Sequence, residues 1–160
     1  MNTAQFQPEN LISGDSNEDT TLLKEMASDA RLYISSFHWA PPIKDIFLAY
    51  GVGGVIAVFL VRFSKPIRGK DEALWVITGD LPSAYLVLDI PGPTEAIEAY
   101  CRLMEDWANA ILKGKGVDEV FPVRAEGSQK NASLLMKRVD FLRRRIIPQL
   151  KSRPSEKGHP

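Results

Sequence analysis

The uncharged run within Ile46–Phe63 constrains the fold of this chain more than any other feature. A single helix over this stretch would be apolar on every side, yet it would fall short of the ~20 residues that a membrane-spanning helix needs. It would also carry three glycines in its middle, each of which costs up to about 1 kcal/mol relative to alanine. A β-hairpin that turns at Gly53-Gly54 avoids both difficulties, because paired glycines suit a two-residue type I′ turn. The hairpin is the favoured interpretation, and a membrane anchor through residues 46–63 is an alternative.

Two further strand-like runs, Ala73–Thr78 and Ala84–Ile90, follow the hairpin. Turn-forming residues from Gly79 to Ser83 separate them, so four successive strands are predicted to form an antiparallel meander over about residues 45–90. The two middle strands are apolar without interruption, which is typical of central strands that helices cover on at least one side.

Three amphipathic helices are predicted over about residues 20–37, 94–113 and 128–147, because apolar residues recur there at steps of three and four. Asp19 or Thr20 is the expected N-cap of the first helix, and Pro148 is the expected end of the third. The predicted fold class is α+β, a four-stranded antiparallel meander packed against about three helices. We expect a single domain over residues 19–150, between a flexible N-terminal arm (1–18) and a flexible C-terminal tail (151–160).

Charge is distributed unevenly although the formal net charge is zero. Residues 1–30 hold six acidic side chains against one lysine, whereas residues 128–160 hold nine basic side chains against two acidic ones.

The lone Cys101 excludes an internal disulfide, and with only two histidines no metal site is expected. No phosphate-loop or dinucleotide motif is present, so no cofactor is predicted. No secretory signal is recognised in residues 1–19, and a cytoplasmic location is expected.

The third helix carries the clearest candidate for a binding surface. Its basic residues recur every seven positions and would line up opposite the apolar stripe if the helix continued that far: Lys130, Lys137, Arg144 and Lys151. The simplest interpretation is a solvated face with long side chains. The functional interpretation is contact with an acidic protein partner, ahead of nucleic acid or an anionic membrane surface. Only Phe141 interrupts these bases with an aromatic ring, so no base-stacking platform is predicted.

Two further residues are candidate partner contacts, namely Asp80 in the turn between the last two strands and Trp39 after the first helix. The rival hypothesis is a small enzyme that uses Asp80, Asp89 or His38 for acid–base chemistry at the sheet edge. No motif specifies a reaction, so no catalytic residue is assigned.

Three segments resemble a family of small bacterial proteins of unknown function, namely YGVGGVIAVFL (50–60), WVITGDLPSAYLV (75–87) and YCRLMEDW (100–107). The resemblance spans about residues 40–147 and implies a soluble, cytosolic single domain without an assigned activity. By analogy, small α+β bacterial proteins of this kind are often immunity proteins that neutralise a partner toxin. The sequence therefore predicts a non-enzymatic, cytoplasmic protein-binding module, whose partner is an acidic toxin or effector; homo-oligomerisation stays open.

Overall fold

The computed structural model describes residues 3, 5–67, 71–87 and 89–152 of the chain. Residues 1–93 and residues 94–160 form two compact units. The described residues contain an antiparallel sheet and several helices, so the predicted α+β class is confirmed. The sheet has five strands, one more than the four that the sequence predicts.

The sheet lies in the first unit, and its strands follow one another in sequence order. All neighbouring strands run antiparallel, so the predicted meander is confirmed for the last four of them. The strands are β1 (Gln7–Pro8), β2 (Ile43–Val52), β3 (Ile56–Ile67), β4 (Asp71–Gly79) and β5 (Ala84–Leu86).

The additional strand is β1, within the segment that the sequence predicts as a flexible arm over residues 1–18. Its two residues lie opposite Phe47 and Leu48 of β2. A 3-10 turn follows at Glu9–Leu11, and the side chain of Ile12 is buried in the core. A two-residue strand has no periodicity to recognise, and proline is depleted in strands except at edges, strand starts and bulges, so the pattern of this segment gives no strand signal.

The glycine pair turns the hairpin as predicted, but through a different turn. The N–H of Val55 donates to the carbonyl of Val52 at 2.9 Å, and of the two glycines only Gly54 has a positive φ, of 77°. A positive φ at the third residue alone is the pattern of a type II turn rather than type I′. Gly53 is needed for a different reason, because a Cβ there would collide with the carboxylate of Asp19.

Residues 46–63 therefore form most of β2 and β3, and the alternative of a membrane helix through them is wrong. No helix in the part of the chain that the structure describes has the length and apolarity to cross a membrane.

The two central strands are buried on both faces, as their continuous apolar runs predict. Every residue of Ile56–Val61 and of Ala73–Thr78 is buried. On one face of the sheet, Phe59 and Val61 share a core with the apolar side of α1 (Asn17–Ser35). Burying a side chain of this size contributes about 1.5–3 kcal/mol, so this interior stabilises the unit.

Asp19 ties the start of α1 to the hairpin turn. The helix is capped by Ser16, whose hydroxyl accepts from the N–H of Asp19 at 3.0 Å, so the N-cap lies earlier than predicted. The carboxylate of Asp19 accepts from the N–H of Gly53 at 2.7 Å through Oδ1 and from the N–H of Asp15 at 2.9 Å through Oδ2. One side chain thus provides acceptors for two backbone donors on separate segments.

The secondary structure of the second unit is helical, with a non-helical connection over residues 113–128, in the part that the structure describes. Helix α2 (Pro93–Leu112) agrees with the predicted helix, and it ends where Gly114 adopts a φ of 68°. The N–H of Lys115 closes this end by donating to the carbonyl of Ala110 at 2.7 Å, a pattern that suits glycine after a helix. Helix α3 (Gln129–Phe141) begins with Ser128 as its N-cap.

The prediction that Pro148 ends the third helix is wrong, because the chain stays helical through it. A π-helical turn (Leu142–Ile146) follows α3 and leads into α4 (Ile147–Ser152). Pro148 has no N–H for the carbonyl four residues earlier, and the N–H of Ile147 donates to Leu142 across five residues. A wider turn takes about one more residue, so side chains beyond it are rotated by roughly 100° relative to α3.

Candidate functional site

Two large apolar side chains are exposed on the cationic side of α3. Leu134 is 49% exposed and Phe141 is 44% exposed. At about 100° per residue, both fall with Lys130 and Lys137 in an arc of about 60°, and Arg145 follows one turn later. All three basic side chains are exposed. We call these five residues the basic strip.

The strip lies on the side of the helix away from its buried residues. Ala132, Leu135 and Val139 are buried, and the helical rotation separates them from the centre of the strip by about 130–170°. Burial of the helix therefore does not require apolar side chains at Leu134 and Phe141. Single exposed apolar residues are common, but two of them on one narrow face point to a contact surface.

The cations of the strip are available for a partner. Lys130, Lys137 and Arg145 form no ion pair within the described ranges of the chain. Their charge is therefore balanced by solvent and salt, and an acidic surface would displace only weakly held counter-ions.

Two of the cations predicted to bind a partner are engaged within the protein. Arg144 Nε lies 3.0 Å from Asp140 Oδ1, in an exposed pair one helical turn long. Lys151 Nζ lies 3.4 Å from Glu98 Oε2 of α2. The π turn and these pairs break the predicted seven-residue line, so of its four basic residues only Lys130 and Lys137 belong to the strip.

Arg143 has a structural position in the second unit. Its Nε and Nη2 atoms donate to the two carboxylate oxygens of Glu105 at 2.9 and 2.6 Å. These hydrogen bonds raise the pKa of the Arg143 guanidinium above its ordinary value, although burial opposes the shift. A bidentate pair is the stronger form of such a contact, so it fixes the π turn against α2.

Sequence reasoning did not select Leu134, although a signal for it exists. A helical projection places Leu134 on the polar side of α3, away from the predicted apolar stripe of the same helix. The projection does not show that Arg144 pairs with Asp140 and Lys151 with Glu98. The second of these pairs depends on where the fold places Glu98.

Trp39 lies in a cluster of four aromatic rings with Tyr33, Phe37 and Tyr85. The rings of Phe37 and Trp39 are stacked with centroids 5.1 Å apart, and the ring of Tyr85 lies 5.3 Å from each of them. These rings touch one another, so no ligand fits between them. Each such pair contributes about 0.5–1.5 kcal/mol beyond the burial of its area. The cluster thus explains Trp39 as packing between the end of α1 and β5.

The residues of the enzyme hypothesis lie exposed on separate segments. His38 follows α1, Asp80 lies in the loop between β4 and β5, and Asp89 follows β5. The N–H of Asp80 donates to the carbonyl of Val55 at 3.2 Å, which places this aspartate beside the hairpin turn. A shallow groove of about 400 Å³ includes none of these three; it is lined by Pro8, Glu9, Asn10, Arg31 and residues 44–47. In the described parts of the chain, no group of three or more His, Cys, Asp or Glu side chains is arranged to hold a metal ion.

Cys101 is fully buried in α2, and we expect its thiol to be unreactive in the folded protein. Burial raises its pKa from the ordinary value of 9.0 to about 11, although the positive charge of Arg143 acts in the opposite direction. Because the thiolate is the reactive form, reaction with a disulfide reagent at pH 8 should be at least about 100-fold slower in native than in urea-unfolded protein.

The same pKa shift predicts a loss of stability at high pH. The unfolded thiol ionises first, so the contribution of the neutral buried thiol is complete below about pH 9 and is lost as the pH rises towards 11. Chemical denaturation at several pH values, with Cys101→Ala as the control, measures this contribution. In the labelling experiment with the disulfide reagent, equal rates for native and unfolded protein would contradict the burial of the thiol.

The comparisons with known proteins identify no relative of this chain. No protein-family model, no curated protein and no solved structure matches it. The resemblance over residues 40–147 stays a prediction, and the assignment of a function depends on the geometry of the chain itself.

Proposed function

We propose that the chain is a non-enzymatic protein-binding module that recognises an acidic partner protein through the basic strip. The observation that carries this proposal is the exposed pair of Leu134 and Phe141, set among three cations that form no ion pair in the described residues. Apolar side chains contribute to affinity because binding removes their surface from water. The surrounding charges select the partner and speed association.

The composition of the strip favours a protein over other polyanions. Helices that lie on membranes present a broad apolar face, whereas here two half-exposed side chains stand among cations. Single-stranded nucleic acid is held by several stacking aromatic rings, and Phe141 is the only aromatic residue of the strip. An acidic protein surface with an apolar centre matches both components of the strip.

Two narrower parts of the proposal, the cellular compartment and the neutralised toxin, rest on other arguments. A cytoplasmic location is supported by the lone thiol, which has no intrachain partner for a disulfide. Neutralisation of a toxin is proposed by analogy with small α+β immunity proteins. Co-expression with the products of neighbouring genes, scored as rescue of growth, tests that part separately.

Selection from a display library of random peptides with balanced composition tests the binding function. We expect the selected peptides to be acidic, with at least two large apolar residues. Binding to these peptides should weaken by at least about 30-fold in the variant Lys130→Glu, Lys137→Glu, Arg145→Glu, because three attractive contacts become repulsive. Dissociation constants from fluorescence anisotropy measure the change.

A matched variant separates the strip from the overall charge of the protein. Lys24, Lys113 and Lys115 are exposed, lie outside the strip, and give the same change of charge when replaced by glutamate. This control should bind the selected peptides within about threefold of the parent protein, an allowance for long-range charge effects. Selection of neutral or basic peptides, or equal losses in both triple variants, would remove the strip from the function.

A further inference from the structure

The spacing of the exposed apolar pair narrows the kind of partner. Leu134 and Phe141 are seven residues apart, which is two helical turns, so their side chains stand nearly in line along α3. Lys130 precedes this pair, Lys137 lies within it, and Arg145 follows it. The strip is therefore about 22 Å long, with apolar and cationic side chains in alternation.

This arrangement is complementary to another helix. When two helices pack, side chains at steps of three, four and seven residues fit between those of the neighbour. An opposing helix with apolar residues at the same heptad spacing would cover Leu134 and Phe141 together. Glutamates that flank its apolar line would then lie near Lys130, Lys137 and Arg145, as flanking charges do in coiled coils.

We propose that the basic strip is the docking face for an acidic amphipathic helix of the partner, an inference that rests on the proposed function. An extended peptide would match this face less well, because its side chains alternate sides every residue and rise about 3.3 Å per residue. Residues two turns apart on α3 are separated by about 10 Å, which matches a step of about three residues along a strand. Side chains three residues apart on a strand point in opposite directions, so one would face the helix and the next would face away from it.

The experiment uses the full chain and two designed peptides of about sixteen residues, which is about 24 Å as a helix. The first has leucine at heptad positions a and d and glutamate at e and g. The second has the same composition, with its leucines distributed evenly around the helix. We expect the amphipathic peptide to bind at least about tenfold more tightly than the scrambled one and to gain helical circular dichroism on binding.

Variants of the apolar pair connect the binding to the strip. Leu134→Ala with Phe141→Ala should weaken binding of the amphipathic peptide by at least about tenfold, because the central contacts of a small interface carry most of its affinity. The pair Leu134→Met with Phe141→Leu, which keeps a large apolar side chain at both positions, should retain binding within about threefold. Thermal melting of each variant checks that the fold is intact. If the alanine variant is unfolded, the charge-reversed triple variant tests whether the peptide binds at the strip.

The remaining outcomes separate the two proposals. If both peptides bind equally and the charge-reversed triple binds neither, the acidic partner stands and the helical partner is overturned. If neither peptide binds, the helical partner is overturned, and the display selection decides on the acidic partner alone. The protein could also bind vesicles with about one-third phosphatidylglycerol more tightly than it binds either peptide, and the charge-reversed triple could abolish that binding. This result would assign the strip to a membrane surface and overturn both the acidic protein partner and the helical partner.

Discussion

Replacement of Trp75 by alanine is expected to lower the free energy of unfolding by about 3–5 kcal/mol, the largest effect of any single change considered for this protein. Trp75 lies at the centre of β4 with none of its surface exposed. Its ring contacts that of Phe6 edge to face at a centroid distance of 6.0 Å, and its indole N–H donates to the carbonyl of Ile90 at 2.9 Å. The substitution thus leaves a large cavity and an unpaired carbonyl.

Two further variants separate these contributions. Trp75→Phe keeps most of the buried area but removes the N–H donor, so it should cost less than the alanine variant, about 1–3 kcal/mol. Trp39→Phe is the matched control, because Trp39 is half-buried and keeps its ring contacts with Phe37 and Tyr85 as phenylalanine. Urea denaturation followed by circular dichroism gives the values. A loss below about 1 kcal/mol for Trp75→Ala would contradict the packing described for β4.

Asp19→Ala is expected to lower the free energy of unfolding by about 2–4 kcal/mol. The carboxylate accepts hydrogen bonds from the backbone of Gly53, in the hairpin turn, and of Asp15, before the helix. Hydrogen bonds to a charged acceptor contribute about 1.5–3 kcal/mol each, and the more exposed Asp15 donor recovers part of its loss from water. The acid also lies in the first turn of α1, where it interacts favourably with the helix dipole.

Asp29→Ala provides the control, since Asp29 is an exposed acid of the same helix and its loss changes the net charge equally. We expect a change within about 0.5 kcal/mol for it. Asp19→Asn should fall between the two, because an amide keeps one oxygen acceptor but offers N–H donors where the second acceptor stood. If Asp19→Ala and Asp29→Ala were equally stable, the bridge between α1 and the hairpin would be of no energetic consequence.

The candidate site could be predicted only in part, and Lys137 shows why. The cationic character of α3, the exposure of Lys137 and the amphipathic period follow from residue types and a fixed helical rotation. Whether a given cation is available depends on which acid lies within reach. Lys151 contacts Glu98, which lies 53 residues earlier in the chain, and no local pattern records that distance.

The sequence by itself determined the α+β class, the hairpin at Gly53-Gly54 and the burial of both faces of the central strands. Each of these follows from local periodicity, β-propensity or the conformational freedom of glycine, which depend on neighbours along the chain. The observed hairpin excludes a membrane-spanning helix over Ile46–Phe63, because the two halves of this run pair with each other as strands.

Only the tertiary structure decided the rest. It added β1 at the edge of the sheet, gave the hairpin a type II turn pattern beside Asp19, and carried the third helix through Pro148 by way of a π turn. The strand β1 and the turn beside Asp19 depend on contacts between distant residues. The π turn is a local change of backbone conformation that accommodates Pro148 while the helix continues. Such contacts have no signature in periodicity, since their free energy comes from groups that meet only when the chain has folded.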